Sequence, residues 1–438
     1  MSSSAPIPVG LDLSSLYCRV AIDGRGVISN TQGARFTLGY VAREEKEQDF
    51  VFGEAAQRLA GCNRIQTTSD SSSLEAFLSY LIQLAVDNAA VSADQLRLVV
   101  SVPDAINSNS DSLTELVNSV SNACKSLVTD KKKRGQELVL NVISKAAAVC
   151  VANNTLPKDG LILVLDMDGD SPLEWTLFQS QGGLLEHKAH RKLTDLSGPI
   201  LLNLLASHVA TQFERQCKLS RGVVMESSKA KAKLLKEAER VLLAAGGALS
   251  FMLDGFYEGM DCNVTISKPR WDMMTGNLLK QVEEALLEYQ SNVQTVLLSG
   301  AWSFLLKPTI DKMFSGLVLQ DAHVFPEEAV VLGCAKQAGM IQPGVAPLIS
   351  SKTQVPVSPV SIGLLGPESP QVWIPQGMPL PAKVQCSVDK SCKLYQLTPT
   401  QVEIADLMDV DCETIVTVEL SKDGQLSIGL PGQSVVTL

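Results

Sequence analysis

One local theme occurs twice in this chain, and it limits the fold more than any other feature. Val9-Gly10-Leu11-Asp12-Leu13-Ser14-Ser15-Leu16-Tyr17 runs from an apolar strand through an Asp into a tight turn, then out along a second strand. Leu161-Ile162-Leu163-Val164-Leu165-Asp166-Met167-Asp168-Gly169-Asp170-Ser171 does the same. A cleft between two such turns suits a nucleotide: backbone N–H groups face the phosphates, and each Asp reaches a metal-bound water. That chemistry wants Gly for close backbone approach and a Ser or Thr hydroxyl for donation. Here the second turn carries Asp168 and Asp170, whose charges oppose a triphosphate. The expectation is a nucleotide-hydrolysing scaffold that has lost its chemistry. Ser14, Asp168 and Asp170 read equally well as ordinary polar turn residues.

The rest of the chain is organised around this repeat. Strand-like runs at Val9–Leu13, Cys18–Ile22, Tyr40–Ala42 and Phe50–Phe52 precede a helical period at Leu74–Val86. Leu96–Val102 reads as a buried strand stopped by Pro103. A helix is predicted from Asp111 to Val128, capped by Asp111 and Ser112. Leu138–Ile143 is a strand and Ala146–Ala152 a helix of small residues. The theme restarts at Leu161, with helices over Gly198–Gln216 and Ser228–Ala245, the second ended by Gly246-Gly247. A strand at Gln294–Ser299 and helices at Ser303–Phe314 and Pro326–Met340 follow. Prolines and small polar residues mark 341–359 as a linker. Residues 360–438 hold only alternating strands, such as Thr414–Leu420 and Gln425–Leu430 around Lys422-Asp423-Gly424. The expected domains are 1–340, a duplicated α/β body, and 360–438, a small all-β module.

Composition narrows the function classes. With 438 residues, 45% of them hydrophobic, the chain can bury more than one core. A net charge of −10 argues against direct nucleic-acid binding, which needs a positive field. The run Lys131–Arg134 reads as a solvated loop. No apolar run reaches a membrane span, and the N-terminus lacks a basic start and apolar core, so a cytoplasmic protein is expected. The ten cysteines show no metal spacing and read as reduced thiols. His187 and His190 lack further ligands nearby and read as surface histidines; no metal site is expected.

Several motifs, in order along the chain, resemble the Hsp70 chaperone family. Leu253-Asp254-Gly255-Phe256-Tyr257-Glu258-Gly259-Met260-Asp261 with Arg270-Trp271 is similar to its "D-S-L-Y-E-G-x-D … R-x-R-F-E" signature. Val99-Val100-Ser101-Val102-Pro103, Glu328 to Ala335 and Val357 to Gly363 resemble three further family segments. The resemblance implies an α/β, actin-like ATPase fold, two duplicated βα lobes around a cleft. A small all-β substrate-binding-like domain without a helical lid would follow it. The nucleotide positions it implies are Asp12, Ser15, Asp166, Gly169, Gly198, Glu239 and Gly300.

Departures from the family pattern point away from turnover. Ser14 and Leu16 replace a Gly and a Thr, and Ser171 another Thr. Lys145 stands where the family has an acid near its metal, and Pro199 replaces a second acid. Leu242 and Leu243 take the places of the basic pair that clasps adenine. Ser299-Gly300-Ala301-Trp302-Ser303 loses a Gly, a hydroxyl and an Arg. The segment that carries the family's catalytic Lys is shortened through Arg64 and Thr67–Ser73, and Pro343–Pro359 lacks the family's acidic, leucine-rich linker. Removing one charge-stabilising donor costs about 3 kcal/mol in a transition state, so these losses together imply a pseudo-ATPase with no catalytic residue. ATP, the one cofactor implied, would bind without turnover.

The pattern resembles the atypical Ssz-type, or heat shock 70 kDa protein 14-like, branch of that family. Asp261-Cys262-Asn263-Val264 after Tyr257-Glu258-Gly259 is the most telling match. That branch implies a heterodimer with a zuotin-type J-domain co-chaperone, contact with the ribosome through that partner, and help to a separate Hsp70 on nascent chains. An ATP-dependent peptide-binding chaperone is the alternative. An actin-related structural protein fits less well, because of the β module. Trp373, Ile374, Val384 and Val388 are candidate liners of a peptide- or partner-binding face, with ordinary β-core residues the better reading of each.

Overall fold

The computed structural model describes residues 6–13, 16–43, 50–59, 62–64, 71–103, 110–128, 139–153, 155–157, 159–181, 184–244, 248–319, 321–340, 361–365, 370–374, 382–388, 392–398, 402–407, 414–420, 426–429 and 436–437. The chain divides into two compact units, Met1–Pro347 and Leu348–Leu438.

The first unit contains two sheets of the same design. In one, the strand Ile7–Asp12 lies between its antiparallel hairpin partner Tyr17–Ile22 and the parallel strand Leu96–Val102, with Val139–Ser144 parallel beyond that. In the other, Gly160–Asp166 lies between antiparallel Pro172–Gln181 and parallel Val293–Ser299, with Val318–Leu319 parallel beyond. Asp12 and Asp166 therefore end the corresponding strand of each sheet. In open α/β sheets that carboxyl end is where ligands bind. Each of these strands is buried on both faces, which is why its sequence is a continuous apolar run rather than an alternating one.

Two helices join the sheets. Lys145–Ala152 touches the strands Leu96–Val102, Gly160–Asp166 and Val293–Ser299, and Ala329–Met340 packs on it and on Ile7–Asp12. Their shared core takes Val99 from the first sheet, Ala148 and Cys334 from the helices, and Ile162, Val164 and Leu297 from the second. The small residues permit very close approach. A Cβ on Gly333 would lie 1.8 Å from the Ala148 carbonyl oxygen, and one on Gly10 would lie 2.4 Å from the Ala335 nitrogen. Beyond this shared layer, the second lobe has its own apolar core around Phe213, Phe251 and Trp302.

Most expected elements are present, with shifted ends. The helix Ser110–Leu127 begins before Asp111 and Ser112, so these sit in its first turn and do not precede it as caps. The last helix starts at Ala329, because Pro326 to Glu328 form a turn. The helix Ser228–Leu243 stops just short of Ala245, and Gly246-Gly247 lie outside the described residues. Two long elements were not foreseen: the helix Lys268–Leu286 and the strand Leu184–Ser197. The strand carries His187, which is exposed, and His190, which is partly buried with Nδ1 3.1 Å from the Thr176 hydroxyl. His190 is thus a sheet residue with a partner, not a free surface group.

The stretch Tyr257 to Val264 turns out to be a hairpin. Cys262 and Val264 are buried, and the Asp261 carboxylate accepts a hydrogen bond from the Gly255 N–H at 2.7 Å. Cys18, Cys62, Cys124, Cys150, Cys217, Cys262 and Cys334 are free thiols. No helix among the described residues is long and apolar enough to cross a membrane.

The second unit contains two antiparallel four-stranded sheets. One is ordered Pro370–Ile374, Ser361–Leu365, Cys392–Thr398, Val402–Leu407; the other Ala382–Val388, Thr414–Leu420, Leu426–Gly429, Val436–Thr437. Trp373, Ile374 and Val388 are core residues and Val384 packs against them, so their ordinary reading holds. The segments 341–360 and 421–425, and the basic run Lys131–Arg134, lie outside the described residues.

The helix crossing yields a test. Gly333→Val forces a side chain into the Ala148 backbone, and overpacking of this kind costs about 1–3 kcal/mol or more. The melting temperature of the variant, followed by circular dichroism, is expected to drop by several degrees. An exposed glycine change, Gly276→Val, serves as control, since nothing lies near that Cβ.

Candidate functional site

The first turn is anchored by Ser101, which is fully buried on the neighbouring strand. Its hydroxyl donates to Asp12 Oδ1 at 2.8 Å and accepts from the Leu13 N–H at 3.2 Å. Burial pushes the Asp12 carboxyl up from its ordinary range, against the pull of Lys145. Ser14 and Ser15 lie outside the described residues. Past the turn, Tyr17 donates its hydroxyl hydrogen bond to Glu239, on the helix Ser228–Leu243 of the other lobe. That bond crosses the cleft. Burial, and then Glu239, hold the Tyr17 phenol well above its usual value, so it stays protonated and keeps donating.

The second turn is stapled to the segment Ser299 to Trp302. The Met167 N–H donates to the Ser299 carbonyl and the Trp302 N–H to the Met167 carbonyl, each at 3.0 Å. Asp168 Oδ1 accepts from the Ala301 N–H at 2.9 Å, and the Trp302 indole N–H donates to the Gly169 carbonyl at 3.1 Å. Trp302 is entirely buried. Two glycines make room: a Cβ on Gly198 would sit 2.5 Å from Trp302 Nε1, and one on Gly300 2.4 Å from the Met167 carbonyl oxygen. Gly300 also has φ +91°, a conformation that favours glycine. Gly169, Gly198 and Gly300 are therefore brought together as expected, but around an indole ring.

Between the two turns lies Lys145, 7% exposed, at the start of its helix. Burial alone would lower its pKa. The attraction of Asp166, Asp12, Asp168 and Glu174 outweighs that, and the ammonium is held above the ordinary lysine range. Asp166 is pushed up to about 6, by burial first, with Lys145 opposing and Asp168 adding to the rise. Its Oδ1 and the Ser299 hydroxyl beside it are buried, and a hydrogen bond from Ser299 opposes the rise. No group of three or more His, Cys, Asp or Glu among the described residues is placed to hold a metal ion.

The two leucines at the adenine-clasp positions have opposite fates. Leu242 is buried and helps wall an apolar cavity of about 440 Å³ with Leu201, Trp271 and Phe304, whereas Leu243 is 45% exposed. Of the positions expected from the sequence, Asp12, Asp166, the three glycines and Glu239 line these turns and the helix that faces them. Reading the sequence missed the Tyr17–Glu239 bond, the Ser101 anchor and the structural work of Trp302. A tryptophan in a turn of otherwise small residues was the one available signal.

Two measurements follow from this geometry. An Asp whose folded pKa is raised stabilises the fold at low pH, and that contribution is lost as pH rises through the folded pKa. Stability is therefore expected to fall between pH 3.8 and about 6 because of Asp166. Asp166→Asn should flatten that slope and raise the melting temperature at neutral pH. Tyr17→Phe removes a hydrogen bond to a charged group, worth about 1.5–3 kcal/mol. It should speed amide exchange on both sides of the cleft, read by mass spectrometry, while leaving the second unit unchanged.

A family model described as Hsp70 protein matches residues 137–386, more than half of the chain. That segment includes Lys145, Asp166, Gly169, Gly198, Glu239 and Gly300 and excludes Asp12 and Ser15. The chain is 24% identical over 418 residues to heat shock cognate 70 kDa protein 3 of Dictyostelium discoideum, covering 81% of this chain and 64% of that protein. It is 25% identical over 408 residues to chaperone protein DnaK of Deinococcus deserti, covering 81% and 63%. With heat shock 70 kDa protein 14 of Danio rerio it shares 26% identity over 302 residues, covering 62% and 59%. The chain thus spans roughly three fifths of the length of these relatives. The paired sheets and crossing helices form an actin-like ATPase domain, followed by a strand-rich C-terminal region, and the chain belongs to the Hsp70 family.

Proposed function

We propose that this chain is a non-catalytic, cytoplasmic Hsp70-like co-chaperone subunit. It pairs with a zuotin-type J-domain protein at the ribosome and assists nascent-chain folding by a separate, catalytic Hsp70. One observation carries the non-catalytic half. The second turn, which would receive phosphate in a working ATPase, bonds to the protein itself through Asp168–Ala301 and Trp302–Gly169. A phosphate would have to displace those bonds and meet Asp12, Asp166 and Asp168 with Lys145 set among them. ATP, where it binds, stays unhydrolysed and acts as a structural ligand.

The partner half is supported by the similarity to heat shock 70 kDa protein 14 and by the Asp261-Cys262-Asn263-Val264 stretch. The net charge of −10 adds a physical reason, since an acidic chain needs a basic partner to reach ribosomal RNA.

Purified full-length protein is expected to show no ATP hydrolysis above background in a phosphate-release assay. Turnover abolished by Asp12→Ala or Asp166→Ala would instead support an ATP-driven peptide chaperone. Affinity capture from lysate with mass spectrometry is expected to recover a J-domain protein and ribosomal proteins. Their absence from the captured set would overturn the partner assignment.

A further inference from the structure

The core of the second lobe holds a space that its own side chains leave open. The cavity measures about 440 Å³ and lies among the helices Gly198–Gln216, Ser228–Leu243, Lys268–Leu286 and Ser303–Met313. Protein interiors keep few voids larger than a water molecule. A volume of roughly 300–1,000 Å³ is instead the range of sites that hold one small molecule.

The lining decides what chemistry such a site accepts. Met167, Leu196, Leu242, Leu249 and Leu306 form its buried wall, each at most 2% exposed. Its outer lining is exposed: Phe304 and Pro308 from one helix, Lys268 and Asp272 from another. These last two are the charged residues of the described lining, one of each sign, and they satisfy each other. Lys268 Nζ lies 3.2 and 3.3 Å from the two carboxylate oxygens of Asp272. The buried Thr275 hydroxyl donates to the Trp271 carbonyl at 3.1 Å. A charged ligand would therefore lose its hydration without gaining a free partner, whereas a dry apolar cavity takes apolar guests.

The entrance has a physical basis too. Pro308 stands inside its helix and has no N–H to give the Phe304 carbonyl one turn earlier. The wall is least firmly bonded where the cavity meets solvent.

We propose that this cavity binds one uncharged, largely apolar small molecule, which enters between the Phe304–Pro308 turn and the Lys268–Asp272 pair. The proposal goes beyond the co-chaperone reading and does not rest on it.

The test titrates the neutral dye N-phenyl-1-naphthylamine, which fluoresces in apolar surroundings, into the full chain. Saturable uptake of one dye per chain is expected. The melting temperature should rise by a few degrees at saturation, because a ligand that binds only the folded state stabilises it. Anilinonaphthalene sulfonate carries the same rings with an added negative charge and should bind about tenfold more weakly or worse.

Leu201→Phe and Leu279→Trp fill the cavity from two different helices. Each should weaken uptake of the neutral dye by about tenfold or more. Each should also melt at or above the wild-type temperature, since the added ring enters empty space. Dye held by the apolar strands of the second unit would ignore both changes. Where one variant fails to fold, the other and the wild-type titration decide. No saturable uptake of the neutral dye, uptake unchanged in the filled variants, or tighter binding of the sulfonate overturns the proposal. So does a fall of several degrees in both variants, which would mean that the space is not there to fill.

Discussion

Everything in the first unit depends on how closely two short helices approach each other. Lys145–Ala152 and Ala329–Met340 cross where Gly333 faces the Ala148 backbone, leaving no room for even one carbon. Because these helices carry the core shared by both sheets, their separation sets how far apart the Asp-ended strands stand. The same helices begin at the cleft, one with Lys145 and the other just after Glu328. Glu328 receives both arms of the Arg35 guanidinium, at 2.6 and 2.8 Å. Close packing at the crossing and charge placement at the cleft are thus two ends of the same rigid pieces.

Above that layer, polar groups that a nucleotide cleft normally presents to a ligand are turned on one another. Tyr17 meets Glu239 across the gap, Asp168 holds Ala301, and the Trp302 indole holds Gly169. A hydrogen bond involving a charged partner is worth about 1.5–3 kcal/mol net, so a few of them weigh heavily in a fold of ordinary stability. The charges facing Lys145 follow the same logic. A lone buried lysine would lower its pKa to escape its charge, and this one does the reverse.

Much of the fold was legible along the chain because burial on two faces writes a simple signal. Leu96–Val102 is an unbroken apolar run stopped by Pro103, and Gly198–Gln216 a clear helical period; both are found with those ends. Lys268–Leu286 was not legible, since Pro269 and Gly276 interrupt it and only Trp271, Thr275, Val282 and Leu286 are buried. Leu184–Ser197 is an edge strand whose exposed, charged residues hide any alternation. At the site, Asp12, Asp166 and the glycines were visible as motifs. The Tyr17–Glu239 contact joins residues more than two hundred positions apart, and no local pattern reports it. The turn Ser299 to Ser303 was legible by what it lacks, while the role of Trp302 as a buried donor exists only in three dimensions.

The stapled turn also bears on which single changes the cleft can absorb. Glycine at Asp168 would leave the Ala301 N–H without its acceptor. Shrinking Trp302 would open a void beneath Gly198 and Gly169, and an acid at Lys145 would set one more negative charge among Asp12, Asp166 and Asp168. Each of these changes, taken singly, takes a partner from a neighbouring group. The arrangement therefore acts as a latch: because the turn's groups are partners to each other, a single substitution at any one of them leaves another without its bond or its packing.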